Sequence, residues 1–475
     1  MHRHTYKIAA LSLLSLAANL SAAPSVYPTG VTRYDTAAAY NSYVIFSGQD
    51  KKTHLIDMNG NEVHSWNAEG FPPVLLDPAL TGGQRGNVLV QLASAPGTSN
   101  EGNGLRNQAI GELDWNGNVV WQWGAAGSAQ DAYAAPVEGK VNAQVPGGSA
   151  KQHHDWRRLP NGNTLVLANL VHPVKGFAAP QVLDDVIYEV NKQGDIVWKW
   201  VASEHLNEFG FTPASLKLVK AGFSPRGKNA PFDYLHINNM SVLGPNKWFD
   251  AGDQRFNPDN ILIDSREANF IVIIDKRSGK VVWNLGPDYP AQVRGPRVLP
   301  RPVDQIIGQH DAHLIEPGLP GAGNLLVFDN QGEAGYPRIG PGVQPRSRVL
   351  EIDPIRKQIV WEYTGGDSNG PDWGFYSSFI SSARRLPNGN TLIDEGTNGR
   401  IFQVTSKGDI AWEYISPYFA PTPVAGAGKP VLSNWLYRAQ PVPYNWVPEG
   451  TPRSEKAVTP PALQQFRVAN NAVTN

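Results

Sequence analysis

The chain has 475 residues, with 47 Gly, 39 Pro and 14 Trp, and it lacks a sustained 3.6-residue apolar period, so it reads as an all-β, turn-rich protein. Its 41 basic and 42 acidic residues give a net charge of −1 and are spread along the chain, which leaves no electrostatic case for nucleic acid or an anionic membrane as partner. There is no cysteine, which rules out disulfides, thiol catalysis and a lipid-anchored N-terminal Cys.

The first element is an address. Arg3 and Lys7 precede an apolar run from Ile8 to Leu20 and the small residues Ser21, Ala22 and Ala23, the pattern of a secretory signal peptide over 1–23 that is too short for a membrane span. The expectation is a periplasmic or secreted chain without membrane insertion. Beyond it, an apolar strand, a Gly- or Asn-bearing turn and a strand ending in tryptophan occur six times, at Trp66, Trp121, Trp198, Trp283, Trp361 and Trp412. Each reads as a β-hairpin, because β-branched and aromatic residues flank positions that tolerate a tight bend. A further short strand precedes every hairpin, starting at Ser42, Asn87, Asn163, Asn260, Asn324 and Asn390.

A fourth strand precedes these in most units. It reads PPVLLDP from Pro72, HHDWRRLP from His153, HINNMSV from His236, HDAHLIEP from His310 and SSARRLP from Ser381. Only the first unit lacks one upstream, and NWLYRAQPVPY at 434–444 can supply it by closing the ring. Six four-stranded units make a six-bladed β-propeller over 24–448, followed by a C-terminal extension over 449–475. Long insertions such as 203–235 are expected to build the rim of a site.

Three of these strands begin with histidine. If the units surround an axis, His154, His236 and His310 converge, and a cluster of imidazoles is a candidate for chemistry. Strand alternation allows only one of His153 and His154 to line the channel, and His154 is preferred because His154-Asp155 matches His310-Asp311. His313 then falls on the opposite strand face. The repeated tryptophans read as blade packing, and Arg438 reads as closing-strand packing or as a channel residue.

In order, HHDWRRLPNGNTL, LHINNM (235–240), DSR (264–266), GQHDA (308–312) and RSRVLEIDP (346–354) resemble the bacterial aryl-sulfate sulfotransferases, over about Gly30 to Pro448. The resemblance implies a six-bladed periplasmic propeller that moves a sulfuryl group between phenols without the nucleotide sulfate donor, metal or other cofactor. It places the nucleophilic histidine at His310, forming a sulfohistidine, and other channel residues at His154, His236, Asn238 and Arg266. A neutral imidazole suits attack on sulfur, Arg266, Asn238 and His154 suit the sulfuryl oxygens, and His236 suits acid-base work on the phenol oxygen. Arg255, in the insertion before DSR, competes with Arg266. The chain lacks the disulfide and the N-terminal β-sandwich of characterised members, and so resembles a shorter branch.

Three other readings stand beside this one. Three imidazoles could hold Zn²⁺ or Cu²⁺. IDKRSGKVVW resembles a quinoprotein dehydrogenase blade motif, although those proteins usually have eight blades. The propeller could also only bind a small molecule. The identity of donor and acceptor, water as a possible acceptor, and oligomeric state are not legible in the sequence.

Overall fold

The computed structural model describes residues 28–92, 109–124, 151–225, 227–287, 305–340, 345–422 and 429–460. The proposed signal segment and the last part of the C-terminal extension lie outside them. Six antiparallel four-stranded blades follow one another around a ring. Blades 2 to 6 each run from an inner to an outer strand in chain order. They start at Val74–Leu75, Lys151–Arg158, Ile237–Val242, His310–Leu314 and Ser382–Arg385. Blade 1 takes its inner strand from the far end of the chain, where Gln440–Val442 pairs antiparallel with Tyr43–Ser47. Gly30–Tyr34 adds a fifth strand outside blade 6. The fold is the six-bladed propeller read from the sequence, closed by the segment that the sequence pointed to.

Second and third strands are apolar and almost fully buried, as in FIVII (270–274) and LLVFD (325–329), because both of their faces pack against neighbouring blades. Outer strands present one face to water, and Val119, Val120, Val197 and Val360 are half exposed there. The apolar clusters lie between blades. Leu89, Ile110 and Trp123 of blade 2 pack on Val166 and Tyr188 of blade 3, and Ile56 and Met58 of blade 1 pack on Leu392, Ile401 and Trp412 of blade 6.

The tryptophans do more than fill space. From each blade an outer-strand indole N–H donates to a carbonyl in the hairpin turn of the next blade: Trp66 to Asp114, Trp123 to Gly194, Trp200 to Gly279, Trp283 to Pro354, Trp361 to Ser406 and Trp412 to Met58. Trp198 adds a second bond, to Lys276. In blade 2 the clasp is Trp123; Trp121, singled out in the sequence, instead lies under the Arg158 guanidinium.

The insertion at 203–235 folds into a short helix, Pro213–Ala221, whose Thr212 side chain caps the Ser215 N–H and whose Val219 is buried. It returns through Phe232–Asp233, paired parallel with Val182–Leu183, and so delivers Asp233 beside His236. Residues after Pro448 run back across the molecule, with Val458 bridged to Tyr34. Among the described residues no helix is long and apolar enough to cross a membrane.

Trp412 is fully buried and Trp361 is partly exposed. Trp412→Ala should therefore cost about 3–5 kcal/mol and Trp361→Ala less than half as much. Thermal or urea unfolding of the two variants checks this, and equal losses would contradict the burial ranking.

Candidate active site

Bulges at the histidines aim them into the ring. In blade 3 the register runs from Gln152 opposite Ala168 to Trp156 opposite Val166. His153, His154 and Asp155 thus face Leu167 alone. In blade 4, Ile237 lies opposite Ser265 and Asn239 opposite Asp264, which leaves Asn238 as the extra residue. In blade 5, His310 lies opposite Phe328 and His313 opposite Leu326. A bulge bends the strand and turns its side chains. Non-glycine residues in the left-handed region lie in or just ahead of these irregularities, with φ of 59° at His154, 59° at Asp311 and, one residue before the blade 4 strand, 52° at His236. Such conformations cost of order 1 kcal/mol or more each and cluster at functional sites.

His310 is buried and held at both ring nitrogens. Nδ1 is 2.7 Å from Asn330 Oδ1 and 3.1 Å from Gly308 O. Asn330 Nδ2 donates to Ser377 O and Ile380 O, so Asn330 Oδ1 is an acceptor and the ring proton sits on Nδ1. Nε2 then carries a lone pair, and it accepts the Ile380 N–H at 3.1 Å. Burial, with the charges of Arg266, His236 and Arg438, pushes the His310 pKa well below the ordinary histidine range, against the opposing pull of Asn330. His310 is a neutral imidazole of fixed tautomer.

His154 and His236 meet edge to face, with ring centres 4.7 Å apart. His236 Nδ1 lies 2.8 Å from Asp233 Oδ2 and the side chain is 20% exposed, which leaves it reachable from the mouth of the ring. Simple strand alternation does not hold at His153 and His154. The bulge brings their Nδ1 atoms to 2.7 Å, while His153 Nε2 lies 3.2 Å from Asp185 Oδ1. His154 is the one that reaches the cluster, and His153 backs it. Phe71 and Tyr437 stack with ring centres 3.7 Å apart, and both present their rings to His154, giving the histidines an aromatic wall.

Arg266 extends the ladder beside His236, its backbone N–H donating to His236 O at 3.1 Å, and its guanidinium is paired with Glu267. Arg255 is a correction. It sits in a turn, Gln254–Phe256, on the connection at the far end of the blade 4 inner strand, paired with Asp253 and 47% exposed. That connection lies one strand length from His236, so Arg255 does not join the cluster. Asn238 is fully buried and donates to the carbonyl of Gln309 at 3.0 Å, which ties blade 4 to the residue just before His310.

Below the histidines lies a buried ionic layer. Arg438 Nη1 is 2.9 Å from Asp155 Oδ2 and Arg438 Nε is 3.2 Å from Asp311 Oδ1. The two aspartates that follow His154 and His310 are therefore joined through one arginine of the closing segment. Tyr437 donates to Asn238 O at 2.7 Å. Sequence reasoning missed Asn330, Phe71 and Tyr437 and left Arg438 undecided. The matched His-Asp pairs were the one signal that could have drawn attention to a shared cationic partner. Among the described residues no group of three or more His, Asp or Glu is arranged to hold a metal ion.

No curated protein matches the chain. Among solved structures the chain is similar to a protein of unknown function from Bacteroides caccae, at 12% identity over 85% of this chain and 99% of that one with a TM-score of 0.44. It is also similar to a streptogramin B lyase, at 12% identity over 85% and 88% with a TM-score of 0.35, and to the Dos1 propeller, at 10% identity over 82% and 76% with a TM-score of 0.33. A family model for arylsulfotransferase (ASST) matches residues 125–412, a span that holds His154, His236, Asn238, Arg266 and His310. The chain belongs to the arylsulfotransferase family.

Proposed function

We propose that this chain moves a sulfuryl group from an aryl sulfate to a phenol in two displacements, with His310 Nε2 as the relay. In the first, Nε2 forms a bond to sulfur, the bond from sulfur to the aryl oxygen breaks, and the departing phenolate takes a proton from His236. In the second, the acceptor phenol loses its proton to His236, its oxygen bonds sulfur, and the Nε2–S bond breaks. Splitting the transfer lets one site serve both phenols. The observation that carries this reading is the state of His310: neutral, with its proton held on Nδ1 by Asn330 and its lone pair on Nε2.

The surrounding groups fit these roles. Asp233 lies 2.8 Å from His236 Nδ1 and fixes that ring edge, which leaves Nε2 to exchange a proton with the phenol oxygen. Arg266, whose charge reaches His310, suits the negative sulfuryl oxygens. The Ile380 N–H, now on Nε2, is close enough to turn to a sulfuryl oxygen once Nε2 bonds sulfur. Phe71 and Tyr437 suit the aromatic body of donor and acceptor. This assignment of substrates needs neither the nucleotide sulfate donor nor a metal. Export to the periplasm or beyond, with removal of residues 1–23, is part of the same reading.

With 4-nitrophenyl sulfate as donor, purified mature protein should release 4-nitrophenol faster when phenol is added. His310→Asn should lose at least about 10³-fold, and His236→Ala about 10²- to 10⁴-fold. Wild-type-like turnover by His310→Asn would overturn the assignment, and release that ignores phenol would make water the acceptor.

A second comparison separates the arginines. Arg266→Gln should lower kcat/KM by about 10²- to 10³-fold, whereas Arg255→Gln should stay within about twofold of wild type. Equal losses would remove Arg266 from the site.

Because His310 has a depressed pKa, it stays neutral and nucleophilic as pH falls through the ordinary histidine range. Asn330→Asp puts a carboxylate against Nδ1, stabilises the protonated ring and raises that pKa. The acid limb of kcat/KM should then move to higher pH, with no such movement in Asn330→Ala. A limb that stays in place in the Asp variant would contradict the role given to Asn330.

A further inference from the structure

The other mouth of the ring holds a second concave site. A cavity of about 210 Å³ lies at the far ends of the inner strands, where Arg157, His313 and Arg384 form its inner wall and Val74, Leu319 and Pro441 are among its apolar sides. His313 was expected on the strand face opposite His310. The blade 5 bulge adds one residue between them, so His310 and His313 face Phe328 and Leu326, which share a face, and both side chains look toward the axis. The Arg438 layer with Asp155 and Asp311 separates this cavity from the histidine mouth.

The charges on its inner wall do not balance. Three guanidiniums, of Arg157, Arg384 and Arg438, share two carboxylates, Asp155 and Asp311. Arg385 is matched by Glu351, and the one other carboxylate lining the cavity, Glu316, is exposed. Asp264 and Asp394 also lie near this layer, where burial disfavours their charged forms and drives both pKa values well up. Arg157 Nη2 is buried and has no hydrogen-bond partner among the described residues. Partly buried guanidiniums in excess, under apolar walls, are complementary to an anion with an apolar body. An apolar cavity of about 150 Å³ accepts benzene, so this one has room for a single ring with a charged group.

We propose that the cavity is a second ligand site, distinct from the histidine cluster, for a monocyclic aromatic anion bearing a carboxylate, sulfonate or sulfate. The acid group faces Arg157 and Arg384 and the ring rests on Val74, Leu319 and Pro441. The inference is independent of the reaction proposed above.

Calorimetric titration of the mature chain with benzenesulfonate, whose C–S bond does not transfer, tests it. Binding should weaken about tenfold or more in Arg157→Gln, which removes a charged partner, and in Leu319→Trp, which fills the cavity and leaves the charges intact. It should persist in His236→Ala, and sodium sulfate should bind at least about tenfold more weakly, since it lacks the ring. Unchanged affinity in both cavity variants, loss of binding in His236→Ala, or equal affinity for sodium sulfate would each overturn the assignment.

Discussion

The site depends on the ring being closed, and at each of its six blade junctions an indole N–H bond passes from one blade to the next, returning from Trp412 to Met58. A four-stranded blade cannot bury its own two faces. The apolar clusters form only between blades, so each blade is stable because of its neighbours. Closure fixes the inner strands around one axis. Only then can His154, His236 and His310, from three separate blades, act as one constellation.

Closure and site are built from the same segment. The strand that completes blade 1, Gln440–Val442, is preceded directly by Tyr437 and Arg438. Tyr437 joins Phe71 of the segment leading into blade 2 and His154 of blade 3, and Arg438 joins Asp155 of blade 3 to Asp311 of blade 5. Burying this much charge is costly unless every group is paired and hydrogen-bonded, and the strained bulges add to the cost. The packed blades and the indole ring must offset both. The return is a set of rings held by protein contacts, His310 by Asn330 and Ile380, His236 by Asp233 and His154 by His153, which is the kind of preorganisation that catalysis by charge and lone pair requires.

Much of this was legible in the sequence, and the failures trace to what lies beyond local pattern. Hairpins ending in tryptophan and the recurrent inner strand gave the blade count, and the segment at 434–444 gave the closure, because period-two alternation and turn residues are local signals. The three histidines stood out because they recur at one place in the repeat. Alternation then misled wherever the chain bulges. It separated His153 from His154, which touch, and set His313 opposite His310, although the extra residue returns it to the same face. Arg255 misled for a different reason: its distance from the site is set by which end of a strand the loop leaves, not by its spacing from Arg266. Asn330 and Phe71 left no trace, since each acts through a contact made across blades.

The central claim is that His310 carries the sulfuryl group. The most direct measurement is to mix the mature protein with an aryl [³⁵S]sulfate in the absence of acceptor, quench under alkaline conditions, and locate the label by peptide mapping. The account predicts close to one label per chain on the peptide containing His310, discharged by added phenol and absent from His310→Asn. Turnover without any label on wild-type protein, or label that persists in His310→Asn, would contradict it.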